Sequence, residues 1–125
     1  MHWKILAIAV GGALGAMARM GLGGFIDRRI PEHFPWDTMI VNVIGCVLYG
    51  IIWYEIDKRV GVPVELKPFL ITGFLGAFTT FSTFAYNSAM LMEKGQYLFA
   101  LANIVAHDVL GLLAIFAGRA ISRAV

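Results

Sequence analysis

The sequence predicts an all-α integral membrane protein with four transmembrane helices, and two observations carry that prediction. Hydrophobic residues make up 59% of the chain and charged residues only 14%, whereas soluble domains carry about a quarter charged residues. The apolar residues are also gathered into four long stretches, 3–26, 38–54, 68–92 and 95–118, each close to the roughly 20 residues that cross a bilayer core. A chain of 125 residues has too little interior to bury so much apolar surface, so the surplus faces lipid or another chain. The whole length, 1–125, reads as a single transmembrane domain.

The first stretch carries Lys4 and Arg19 as its only charges. Lys4, the apolar run and Ala16-Met17-Ala18 mimic a signal peptide, but the apolar pattern continues past Arg19, so the segment is read as the first helix. Gly11 and Gly15 form a GxxxG pair that lets two helix backbones approach closely. Arg19 falls on the same face, either snorkelling to the interface or lining an aqueous entry for an anion.

The second stretch has Asn42, Gly45, Cys46, Tyr49 and Gly50 at helical spacing, a small and polar stripe that must face protein or water. Asn42 serves there either as a hydrogen-bonding link between helices or as a donor to a passing anion. Cys46 is the only cysteine, so no intramolecular disulfide can form, and its place in an apolar run is that of a small hydrophobe.

The third stretch holds the densest signal, Gly73-Phe74-Leu75-Gly76-Ala77-Phe78-Thr79-Thr80-Phe81-Ser82-Thr83-Phe84. Glycine, β-branched and aromatic residues are weak helix formers, and an unwound turn at membrane depth is tolerated only where its carbonyls find a partner. The fourth stretch carries Asn103, His107 and Gly111 on one face, with Asp108 beside His107. Ionisable residues inside a span are functional candidates, although a lone histidine is more often a hydrogen-bonded helix contact. Asp108 is expected to be protonated, or turned away and paired.

The connections hold the remaining polarity, and Trp3, Trp36, Trp53, Tyr54 and Tyr97 lie at the ends of the runs, as interfacial aromatics do. Four spans place both termini on one side, with Lys4, Lys58, Arg59, Lys67, Arg119 and Arg123. The other side has Arg28, Arg29 and Lys94, with Arg19 near it. So small a bias leaves two readings open: insertion in both orientations with antiparallel pairing, or one fixed orientation. A net charge of +2 gives no basis for nucleic-acid binding. No nucleophile–base pair, phosphate loop or cluster of metal-ligating side chains is legible, which argues against an enzyme.

At this point the residues resemble a known family. Gly11 to Arg19 is similar to a GGxxGxxxR start, Asn42-Val43-Ile44-Gly45 to an NxxG motif, and Gly73 to Phe84 to the long GFxGxxTTFSTF signature of the Fluc (CrcB) fluoride channels. The resemblance covers essentially the whole chain. It implies an antiparallel, dual-topology homodimer with two pores in the bacterial inner membrane. It implies a third helix broken at Gly76–Thr80, with the backbone carbonyls of Gly76 and Thr79 from both chains around one structural Na⁺ at the dimer centre. It further implies that Phe81 and Phe84 line the pores, that Asn42 donates to fluoride, and that Ser82 and Thr83 add hydroxyls. Arg19 resembles the helix-1 arginine, and Thr38, Asn103 and His107 are candidates for the pore wall or entrance. Two departures stand out: Ala77 where the signature often has a second glycine, and Asn103 and His107 where many members have tyrosine and serine. The implied role is passive export of fluoride, protecting the cell from its toxicity. The rivals are a small proton-coupled multidrug antiporter, whose chemistry needs a carboxylate at mid-membrane, and a non-transporting membrane subunit.

Overall fold

The computed structural model describes residues 1–30, 33–58 and 61–125; Arg59, one of the basic groups counted above, lies outside them. Among the described residues, four helical segments are long and apolar enough to cross a membrane. The first is α1 (His2–Asp27) and the second α2 (Trp36–Asp57). The third is composite, running through a 3₁₀ turn (Val64–Leu66), a π-helical run (Pro68–Leu75), the single turn α3 (Gly76–Phe78) and α4 (Phe81–Glu93). The fourth is α5 (Tyr97–Ala124). Among the described residues there is no strand.

Local chemistry sets the ends of these elements. Asp37 lies in the first turn of α2, where a carboxylate complements the helix dipole. Pro68 opens the π-helical run, at a position where a missing N–H costs nothing. At the end of α4 the chain reverses on Gly95, whose φ is +74°. Gln96 N–H reaches Leu91 C=O at 2.8 Å and Gly95 N–H reaches Met92 C=O at 2.9 Å. This is a Schellman cap, which needs the left-handed conformation that glycine adopts freely, and it folds α4 directly back into α5.

Two close helix contacts organise the bundle. Gly11 and Gly15 of α1 lie against the backbone of Phe69 and Phe74, so a Cβ at either position would run into a carbonyl. That is the role expected of the GxxxG pair. Gly50 of α2 and Gly118 of α5 do the same for the second pair, lying against the backbones of Ile115 and Val47. Gly50, at the end of the small and polar stripe, thus faces protein, as expected of that stripe, and serves close packing. A small core of Ile26, Val41 and Phe78 sits where α1, α2 and the third span meet. Most other large apolar side chains point outward, as lipid-facing surfaces do.

Candidate ion pathway

The third span is interrupted at two residues. Thr79 (φ −89°, ψ 156°) and Thr80 (φ −148°, ψ 114°) are extended between α3 and α4. The break is narrower than the Gly76–Thr80 expected, because Gly76 is itself helical (φ −60°, ψ −34°) and Gly76–Phe78 completes a turn. Side chains, rather than a flexible glycine pair, make the interruption. Ala77 therefore sits in right-handed helix, and no non-glycine residue among those described has a positive φ.

Three side chains capture the backbone here. Asn42 Oδ1 accepts from Thr80 N–H at 2.9 Å and Asn42 Nδ2 donates to Thr80 C=O at 3.2 Å. Thr80 Oγ1 accepts from Thr83 N–H at 3.3 Å, the N-cap bond that starts a helix. Thr79 Oγ1 donates back to Leu75 C=O at 2.9 Å. In a continuous helix Thr80 N–H would go to Gly76 C=O and Thr83 N–H to Thr79 C=O. Both donors are taken elsewhere, so these two carbonyls lose their helical partners. The sequence reading does not single out Thr80, although a threonine before a new apolar helical run is the usual signal for an N-cap.

The aromatic and helix-4 groups converge on the same place. The Phe81 and Phe84 rings lie 5.6 Å apart, and the Phe84 ring is 4.3 Å from that of His107. His107 Nε2 is 3.3 Å from Asn42 Nδ2, and His107 Nδ1 is 2.9 Å from Asn103 C=O. Asn103 is fully buried and donates to Ser88 Oγ at 3.0 Å, while Ser88 Oγ donates to Phe84 C=O at 3.0 Å. Asn103 thus braces α4 against α5 and lies behind the wall. Ser88 is missed by the sequence reading, because one buried serine among several hydroxyls carries no local mark.

Two clefts flank Thr80. One, of about 290 Å³, is lined by Asn42, Phe81, Phe84 and His107 together with Cys46 and Tyr49 of the α2 stripe. The other, of about 560 Å³, is lined by Arg19, Asp27, Asp37, Thr38, Thr80 and Thr83. Thr80 belongs to both. Ser82 lies beside it, its hydroxyl 3.4 Å from Thr80 Oγ1, and Thr80 Oγ1 donates to Thr83 Oγ1 at 3.0 Å. Arg19 has its Nε buried with no hydrogen-bond partner among the described residues, and Thr38 accepts from Asn87 Nδ2 at 3.2 Å. Asp108 lies exposed on α5 and lines the smaller cleft; among the described residues no side chain pairs with it to turn it away.

The arrangement gathers hydroxyl groups and phenylalanine rings about the interruption of the third span, with an arginine on one side. Such a lining is suited to replacing the hydration shell of a small anion. Comparison with known proteins agrees with it. The family described as "CrcB-like protein, Camphor Resistance (CrcB)" matches residues 6–119. The chain is 43% identical over 120 residues to the "Fluoride-specific ion channel FluC" of Solidesulfovibrio magneticus, covering 96% of each. It is 43% identical over 122 residues to the protein of that name from Nitratidesulfovibrio vulgaris, covering 98% of each. With the one from Rhizobium meliloti it shares 44% identity over 120 residues and 96% of each chain.

Proposed function

Because the chain belongs to the CrcB family, in which the similar proteins are named fluoride-specific ion channels, we propose that it is a fluoride-selective channel, not an enzyme, in a bacterial membrane, and that it lets fluoride leave the cell passively. The observation that carries this reading is the junction at Thr80, which lines both clefts: Asn42, Phe81 and Phe84 line one, Thr83 lines the other, and Ser82 Oγ lies 3.4 Å from Thr80 Oγ1. Fluoride is small and strongly hydrated, so a pore for it must supply several donors at close quarters. Ser82, Thr83 and the ring edges of Phe81 and Phe84 are such groups. Arg19 and Thr38 line the cleft through which the ion approaches, and the Arg19 guanidinium, beside the carboxylates of Asp27 and Asp37, is the lining group that attracts an anion.

The working unit is an antiparallel homodimer with both orientations in the membrane. Two features support this. The basic residues divide six against four when Arg19 is counted, a weak bias, and Phe81, which lines the smaller cleft, is 78% exposed, so a second copy across it would complete the wall. The carbonyls of Gly76 and Thr79 fit a hard cation, which takes oxygen ligands, since both have lost their helical N–H. Four of them from two copies would hold one Na⁺ at the centre. When bound, that charge offsets the cost of taking anions out of water. The chain's own part is to keep both carbonyls free of helical N–H partners, which Asn42 and Thr80 do by taking those donors.

The test is fluoride efflux from liposomes holding the purified protein, with chloride as comparison and Phe81→Ile alongside. Fast fluoride efflux, negligible chloride efflux and loss in the variant are expected. No fluoride efflux from folded, reconstituted protein would overturn the channel reading.

A further inference from the structure

His107 stands at a point where the hydrogen bonds leave its ring no freedom. Its Nδ1 lies 2.9 Å from Asn103 C=O, and a carbonyl only accepts, so Nδ1 carries the hydrogen of a neutral ring. Nε2 is then a pure acceptor. The 3.3 Å contact with Asn42 Nδ2 is therefore a donation from Asn42. The other Asn42 N–H goes to Thr80 C=O, and Asn42 Oδ1 takes Thr80 N–H. Turned over, the amide would put its oxygen against two acceptors and its NH2 against a donor, losing three hydrogen bonds at once. The orientation of Asn42 is thus fixed from two sides, by the Thr80 backbone and by His107.

We propose that His107 is a positioning residue for conduction: as the Nδ1–H tautomer it holds the Asn42 amide in the orientation that keeps Thr79 and Thr80 out of the helix. On the reading that this junction is the fluoride path, His107 acts through Asn42 and makes no contact with the ion. Neither hydrogen on Asn42 is then free for fluoride in this arrangement, so the amide acts on the backbone first. The Phe84 ring packed on His107 would tolerate an aliphatic neighbour, which lets the hydrogen bond be removed without emptying the contact.

The experiment compares fluoride efflux from liposomes for the unaltered protein, His107→Leu and His107→Gln. Leucine removes the acceptor, whereas glutamine can place an amide oxygen near the Nε2 position. His107→Leu is expected to slow efflux about tenfold, corresponding to about 1.4 kcal/mol on the barrier, and His107→Gln to restore most of the rate. A leucine variant as fast as the unaltered protein would overturn the proposal, and so would a glutamine variant as slow as the leucine one. Absence of efflux from the unaltered protein would instead strike at the channel reading. The tautomer is a second readout, independent of flux and of whether the leucine variant folds. Nitrogen-15 NMR of His107 in bilayers, with His2 and His33 replaced by glutamine, is expected to find the hydrogen on Nδ1. A neutral ring protonated on Nε2 would overturn the proposal.

Discussion

Asn42 bonds both backbone polar groups of Thr80, accepting from its N–H at 2.9 Å and donating to its C=O at 3.2 Å. A side chain on α2 thereby stands in for the neighbours that a helix would have provided to a residue 38 positions later. Replacing Asn42 with alanine leaves both groups of Thr80 without those partners. The expected loss of stability is about 1–3 kcal/mol for a buried group left unpaired. Thermal unfolding in detergent measures it, and fluoride efflux should fall in the same variant. Asn42→Asp keeps the acceptor but cannot donate while ionised, so it is expected to lose efflux as well. An alanine variant with unchanged stability and efflux would remove Asn42 from this role.

Gly45 faces Thr79 so closely that a Cβ on it would collide with the threonine methyl. Gly45→Ala therefore pushes directly on the break. Overpacking of this kind costs about 1–3 kcal/mol. The expected result is lower thermal stability with reduced efflux. Gly45→Ala combined with Thr79→Ser, which removes the offending methyl, should recover much of both.

Gly15 lies against the backbone of Phe74, and a backbone cannot swing aside as the end of a side chain can. Gly15→Val is expected to separate α1 from the third span and to lower yield and thermal stability. Gly21→Val serves as the control, since nothing lies near the Cβ position of Gly21.

Arg19 lines the larger cleft as its cationic side chain. Arg19→Gln is expected to reduce fluoride efflux about tenfold at low ionic strength, with a smaller reduction at high salt, as screening removes the steering field from the unaltered protein too. A deficit independent of salt would mean that Arg19 acts by packing.

Much of this architecture is legible in the sequence, for identifiable reasons. The four spans follow from apolar stretches interrupted by prolines and charges, a property of consecutive residues. The α2 stripe is equally local, and Asn42, Gly45, Cys46 and Tyr49 do line one cleft. The position of the break is less legible. The resemblance implies a break over Gly76–Thr80, yet the chain leaves the helix only at Thr79 and Thr80, because the deciding acceptor and donor belong to Asn42 on another helix. Likewise, i to i+4 spacing places Asn103 and His107 on one face, but it does not separate their roles. Asn103 is buried behind the wall while His107 reaches the cleft, a distinction that depends on how α5 rotates against α4. The meeting of Arg19 and Thr38 in one cleft depends on contact between α1 and α2, which no motif encodes.

The tight reversal at Gly95 has a consequence for how this chain can vary in length. Between that glycine and His107 lie the cap and the start of α5, with no slack to absorb a change. One codon gained or lost within the first turns of α5 would rotate everything after it by about 100°, carrying Asn103 away from Ser88 and His107 away from Asn42. An extra residue in the connection ahead of Pro35 has no such effect, since surface connections accommodate insertions. Tolerance to insertion and deletion should therefore be lopsided along the chain, generous before the second helix and close to nil across the last hairpin.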